Sequence, residues 1–278
     1  LIRGLVKLQK EARKAGKKDT PGPGPGGNLT SFKAGMSVMT DSLTVLLGSR
    51  VRLNASVQGI SRTARQYTLH LEDGNSEDFD AVILAAPAWA QARILGEMAP
   101  GIAGLLSGIP YPPLSVVCLG YRNEDAAGCM DGFGFLVPSR ENRGILGTVA
   151  DSTVFPGRAP EGSVLFRTMV GGARAPELAE LPDERLLDRV LSDLKDIMGL
   201  SADPGFVKIY RHERAIPQYL VGHSSRLEAI DDELKGFPGL FLTGNAFRGV
   251  SLNDCVLNAQ KTAQSVTAAA GGEEAGNS

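Results

Sequence analysis

Residues 239–259 read GLFLTGNAFRGVSLNDCVLNA, and they decide how the rest of the chain is assembled. A short apolar strand over 239–243 runs into Gly244 and a polar turn, which Gly249 closes. The spacing predicts a helix over 253–268, capped by Ser251 or Asn253, with Val256, Ala259, Ala263 and Val266 on its inner face. Glycine at 249 leaves the backbone free to approach something flat. The helix N-terminus offers amide donors and partial positive charge to an electron-rich group.

A strand feeding a helix needs a sheet to join. Asp80 leads into AVILAAPA, an apolar run ending at Pro87 that suits a strand buried on both faces. Strand patterns also fall at 50–58 and 66–71, the second followed by the turn residues Asp73 and Gly74, and a helix is expected over 35–47. Further strands are expected at 114–121, 133–137, 144–150, 163–170 and 205–212. A helix over 183–198 carries the stripe Leu187, Val190, Leu194 and Ile197, with Asp183 as its cap and Gly199 as its stop. There is no internal repeat. The expected class is α/β (α+β): a split α/β domain, residues 28–95 and 213–270, around a mainly antiparallel sheet domain, residues 96–212. Residues 271–278 read as a disordered tail.

Composition narrows the function. With 278 residues, 42% of them hydrophobic and 22% charged, the chain is neither disordered nor a coiled coil. No apolar run reaches the ~18 residues of a membrane span. Leu1 comes first with no signal-peptide pattern behind it, so a fragment or processed chain is expected. The net charge of -2 divides into +6 over residues 1–18 and -8 over the rest, which argues against nucleic acid as a partner. Three unpaired cysteines, Cys118, Cys129 and Cys255, and three scattered histidines fit a reducing, cytoplasmic setting and offer no metal cluster.

Residues 1–18 read as an amphipathic helix: Leu1, Leu5, Leu8, Ala12 and Ala15 oppose Arg3, Lys7, Lys10, Lys14 and Lys17. That pattern serves either a solvated helix or a peripheral contact with anionic lipid on the inner face of a membrane. The linker PGPGPGG follows at 21–27. Gly22, Gly24 and Gly27 satisfy the dinucleotide spacing, but no strand precedes them, and Pro23 and Pro25 remove backbone donors.

Nucleophile elbow, zinc-protease and phosphate-loop motifs are absent. Cys255 reads as a structural thiol or as one activated by a helix start. The turn at 244–252 reads as an ordinary βα turn or as a flavin contact, since reduced flavin gathers negative charge that helix amides stabilise.

The 239–259 segment resembles the C-terminal flavin motif of the protoporphyrinogen oxidase family, among the amine-oxidase-like flavoproteins. IPQYLVGH (216–223), DGFGFLVP (131–138), MVGGAR (169–174), SFKAGM (31–36) and VILAAPA (82–88) stand in the family's order, so the resemblance spans about residues 1–268. It implies a split FAD-binding domain of the p-hydroxybenzoate-hydroxylase and amine-oxidase type, with an inserted sheet domain for substrate. Residues 1–20 would end the family's helical membrane-associated domain. The family's opening dinucleotide fingerprint, which clasps the FAD diphosphate, has no counterpart here. The implied reaction is oxidation of protoporphyrinogen IX to protoporphyrin IX in heme biosynthesis. FAD takes hydride from an sp3 bridge, dioxygen reoxidises it, and tautomerisation joins successive rounds.

Residue by residue, Val250, Ser251 and Leu252 match the backbone run that meets the flavin. Val57 matches an adenosine contact, and His212 stands where relatives place a tryptophan near the ring. Leu136, Val149 and Met169 match positions that sandwich the tetrapyrrole. The resemblance implies no catalytic side chain and no metal. Neither Arg140 nor Arg174 is assigned to a substrate propionate, because the family's arginine comes from the region before this chain. Coproporphyrinogen III as substrate, a carotene desaturase or amine oxidase, a non-catalytic tetrapyrrole binder and a homodimer stay open as alternatives.

Overall fold

The structure, a computed structural model, describes residues 29–63, 66–130 and 132–274. The helix expected at 1–18, the linker at 21–27, Asp131 of the DGFGFLVP motif and residues 275–278 of the expected tail lie outside them. The chain divides into two units, residues 1–51 and 52–278. The described part of the first holds helix α1 (Ser37–Leu47) and a closing 3₁₀ turn, Gly48–Arg50. No α1 residue is buried.

The second unit opens with an antiparallel meander, β1 (Val57–Arg62), β2 (Tyr67–Leu71) and β3 (Ser76–Phe79). The strand expected at 50–58 therefore starts late. Asn54 sits at φ 57°, in the left-handed region, which breaks an extended run before Val57. β4 (Val82–Leu84) follows, then α2 (Ala88–Leu95) and α3 (Pro100–Ser107). Neither helix is foretold by periodicity, because α2 buries six of its eight residues and so shows no polar face.

The five-stranded sheet comprises β5 (Leu114–Arg122), β6 (Gly134–Leu136), β7 (Ile145–Ala150), β8 (Ser163–Gly171) and β9 (Phe206–His212), in the order β6-β7-β8-β5-β9. Every pairing is antiparallel. Helix α4 (Asp183–Met198) covers one face: Leu186, Val190 and Leu194 meet Val117, Leu119, Phe166 and Val170. Each such side chain removed from water contributes about 1.5–3 kcal/mol. The buried stripe differs from the expected one, since Ile197 is exposed and Leu186 buried. Pro182, not Asp183, is the N-cap, and the Asp183 carboxylate pairs with Arg211 of β9 instead. Gly199 does end the helix, at φ 71°.

The chain then returns. α5 (His223–Leu234), unpredicted, leads to β10 (Leu240–Leu242), which pairs parallel with β4 through Leu240 opposite Val82 and Leu242 opposite Leu84. A second core therefore joins residues on both sides of the sheet segment: Ile60, Tyr67, Leu84, Leu95, Ile102, Ile230, Leu240 and Phe247. The expectation that the 82–86 run is covered on both faces fails, because Ile83 is 46% exposed between buried Val82 and Leu84.

Helix α6 (Leu252–Glu274) starts one residue early and runs through 271–274, which the expected tail had claimed. Its inner face is also corrected. Val256, Ala259 and Ala263 are exposed, while Cys255, Asn258, Thr262 and Val266 form the partly buried stripe. Polar side chains occupy that stripe because they are satisfied there: Asn258 donates to the Arg248 carbonyl at 3.1 Å and Thr262 to the Asn258 carbonyl at 2.9 Å. Among the described residues no helix is long and apolar enough to cross a membrane.

Candidate functional site

Parallel strands bring ligands to the crevice beyond their carboxyl ends. Here those ends are residues 85–87 after β4 and 243–244 after β10. Gln91, fully buried on α2, donates through Nε2 to the Ala86 carbonyl at 2.6 Å and to the Thr243 carbonyl at 3.0 Å. One side chain thus ties the two exits together. Gly244, at φ 122°, then turns the chain away, in a conformation that L side chains rarely adopt.

The turn from 245 to 251 is held from three sides. Tyr219 donates to the Asn245 carbonyl at 2.6 Å and accepts from the Gly249 amide at 3.0 Å. His223 Nε2 lies 3.2 Å from the Phe247 carbonyl, and its ring stacks on Tyr219 with centroids 4.0 Å apart. Arg248 pairs with Asp231 of α5. Ser251 and Asp254 then form a reciprocal cap: the Asp254 amide donates to Ser251 Oγ at 3.1 Å, and the Ser251 amide to Asp254 Oδ2 at 3.3 Å. The cap satisfies two donors, and the Cys255 amide donates to the Ser251 carbonyl at 3.0 Å.

Gly249 meets a steric requirement of the turn itself. A Cβ there would lie 2.4 Å from the Asp254 Cβ, and φ is 124°, so the glycine makes room for the helix's own cap. Val250 and Leu252 flank Ser251 and are 45% and 44% exposed. The three expected flavin-facing residues therefore present an open backbone run at the head of a helix.

The sheet face away from α4 carries the second set. Register places Leu136 opposite Gly147, Gly147 opposite Met169, Met169 opposite Val116, and Val116 opposite Tyr210. Val149 lies opposite Arg167 on the same face, two residues along. His212 lies opposite Leu114, again on that face. Leu136, Val149, Met169 and His212 are thus brought to one surface, with Leu136 81% exposed. Val57 stands elsewhere, at the first residue of β1, half-buried and packed on the core that β4 and β10 share.

Burial pushes the Cys118 thiol up from its ordinary value, against a smaller lowering by Arg167. Burial likewise raises the Tyr219 phenol, partly opposed by the Gly249 amide. Neither is an activated nucleophile. Among the described residues no group of three or more His, Cys, Asp or Glu is placed to hold a metal. Three groups carry the site without having been expected there: Gln91, Tyr219 and His223. The signal for Gln91 is a lone amide inside the apolar run AWAQARIL; for the other two it is their place in IPQYLVGH.

A family model described as flavin containing amine oxidoreductase matches residues 13–267. The chain is 32% identical to the chloroplastic protoporphyrinogen oxidase of Nicotiana tabacum over 286 residues, covering 96% of this chain and 52% of that one. It is 30% identical to the coproporphyrinogen III oxidase of Bacillus subtilis, covering 87% of this chain and 53% of that one. The chain spans about half the length of the curated relatives it matches. Among solved structures, a protein from Exiguobacterium sp. 255-15 with the provisional name protoporphyrinogen oxidase superposes with a TM-score of 0.76 at 28% identity, over 87% of this chain and 53% of that one. Cyclohexylamine oxidase from Brevibacterium oxydans shares the fold at 16% identity, with a TM-score of 0.67 over 84% of this chain and 52% of that one.

Proposed function

Because this chain belongs to the flavin containing amine oxidoreductase family, we propose that it is part of an FAD-dependent porphyrinogen oxidase acting in heme biosynthesis, with protoporphyrinogen IX as substrate. The observation that carries the reading is the shared sheet face of Leu136, Val149, Met169 and His212, open and largely apolar, as a flat macrocycle requires. Relatives named as oxidases of protoporphyrinogen and of coproporphyrinogen III support the class. Coproporphyrinogen III, with propionates in place of vinyl groups, is the second substrate reading.

The residues present fit the ring end of a flavin. The Gly244 and Gly249 backbones adopt conformations that a side chain would strain, and Val250 and Leu252 at the start of α6 are exposed. When bound, flavin supplies hydride acceptance from a bridging carbon and passes the electrons to dioxygen. Val250, Ser251 and Leu252 would hold its ring by backbone contact, with the α6 terminus favouring the reduced, negatively charged form by about 0.3–1 kcal/mol, more where partly buried. Val57 would meet the adenosine part and His212 would stand near the ring. Leu136, Val149 and Met169 would cover a face of the macrocycle and exclude water from it.

The opposed apolar and basic stripes of residues 1–18 support peripheral attachment of a cytoplasmic protein to the inner face of a membrane. Titrating the oxidase of which this chain is proposed to be part with FAD and following flavin fluorescence tests the cofactor. Saturable quenching near one FAD per chain is expected, and its absence contradicts the reading.

A further inference from the structure

Tyr219 stands where three features meet, and the chemistry above uses none of them. Its hydroxyl both gives and takes a hydrogen bond, to the Asn245 carbonyl at 2.6 Å and from the Gly249 amide at 3.0 Å. A phenol has one proton to give, so its donor is fully engaged. That single oxygen bridges the two ends of a five-residue turn whose flanking Gly244 and Gly249 both have positive φ, at 122° and 124°. Such glycines leave a turn with many competing shapes. The bridge selects one of them. The ring itself is fixed by stacking on His223, whose interplanar angle to it is 11°, and His223 in turn reaches the Phe247 carbonyl. Residues 219 and 223 therefore hold three backbone groups of the turn, at 245, 247 and 249.

We propose that Tyr219 is a positioning residue: its hydroxyl sets the shape of residues 245–249 and so aims the backbone of Val250, Ser251 and Leu252 at the flavin. It touches neither hydride nor dioxygen. The first half of this statement concerns the turn alone, and the second rests on the flavin reading given above.

Tyr219→Phe keeps the stacked ring and removes only the hydroxyl. Amide hydrogen exchange in the 278-residue chain reads the turn without any flavin present. The Gly249 amide should exchange about tenfold faster, a change in keeping with loss of its partner, while Val117 and Leu119 in the sheet keep their rates. FAD titration of the same variant should show a several-fold weaker dissociation constant and a shifted absorption band for the bound flavin. Unchanged exchange at Gly249 overturns the proposal. Uniformly faster exchange in turn and sheet also overturns it, since that reports a general stabilising role. Faster exchange at Gly249 with unaltered flavin affinity and spectrum overturns the cofactor half. Failure of the unmodified oxidase, of which this chain is proposed to be part, to take up FAD refutes the flavin reading instead, and the exchange result tells the two failures apart.

Discussion

Gln91 donates a hydrogen bond to the carbonyl of Thr243, 152 residues away in sequence, at 3.0 Å. The same amide nitrogen holds the Ala86 carbonyl at 2.6 Å, so the exits of β4 and β10 are fixed relative to each other by one buried side chain. Both partners are carbonyls, which assigns the nitrogen end of the amide to them without ambiguity.

The first prediction concerns that tie. Gln91→Met preserves volume and leaves two carbonyls without their donor. It should destabilise the fold by about 2–4 kcal/mol, from the cost of burying unpaired acceptors. Urea unfolding measures this, and an unshifted midpoint would refute the tie.

Gly249→Val places a branched side chain at φ 124° and against the Asp254 carboxylate, so it disrupts the cap of α6. In the oxidase of which this chain is proposed to be part, FAD content per folded protein should drop severalfold while the circular dichroism of the five-stranded sheet persists. Full occupancy in this variant would show that the turn does not shape the cofactor site.

Tyr121 gives a pH prediction. Burial pushes its phenol up to about 12 from the usual 10.0, and its hydroxyl has no hydrogen-bond partner. The native state therefore keeps a proton that the unfolded chain releases, so stability is full below pH 10 and falls as pH rises toward 12. At about 1.4 kcal/mol per unit, up to ~3 kcal/mol is lost over that window. Tyr121→Phe should leave stability at pH 7 unchanged or slightly improved and should flatten the alkaline decline. A decline of equal slope in the variant assigns the effect to other groups.

Much of this was legible because burial and periodicity coincide. Val117, Leu119 and Tyr121 alternate with half-exposed neighbours on β5, and α4 ends at Gly199 as its sequence implies. Where periodicity misled, a local interaction won. Asp183 was drawn from capping to an ion pair with Arg211, and the α6 inner face turned toward Asn258 and Thr262 because their hydrogen bonds are made there. Alanine-rich α2 offered no period at all, being buried nearly all round. The site divides in the same way. The glycine-flanked turn before a helix is visible in the sequence pattern, and the residues 250–252 within it come from the family resemblance, whereas Tyr219 and His223 act through backbone carbonyls and an amide, which leave no trace in side-chain spacing.

The sheet face offers a sharper prediction. Met169→Glu puts a charge at the centre of the row from Leu136 to Tyr210, on the side away from the α4 core. Protein folding should be little affected, since Met169 is only partly buried, but an apolar macrocycle would be repelled. In the oxidase of which this chain is proposed to be part, the KM for porphyrinogen should rise at least tenfold with FAD affinity unchanged. An unaltered KM would remove this face from the substrate site.

The most direct measurement is porphyrin fluorescence from protoporphyrinogen IX in air, with and without added FAD, set against the autoxidation rate. For the oxidase of which this chain is proposed to be part, the account predicts porphyrin formation above autoxidation only when FAD is bound, with stoichiometric peroxide, and a loss of that rate in Met169→Glu. Formation at the autoxidation rate by protein that demonstrably holds FAD would contradict it.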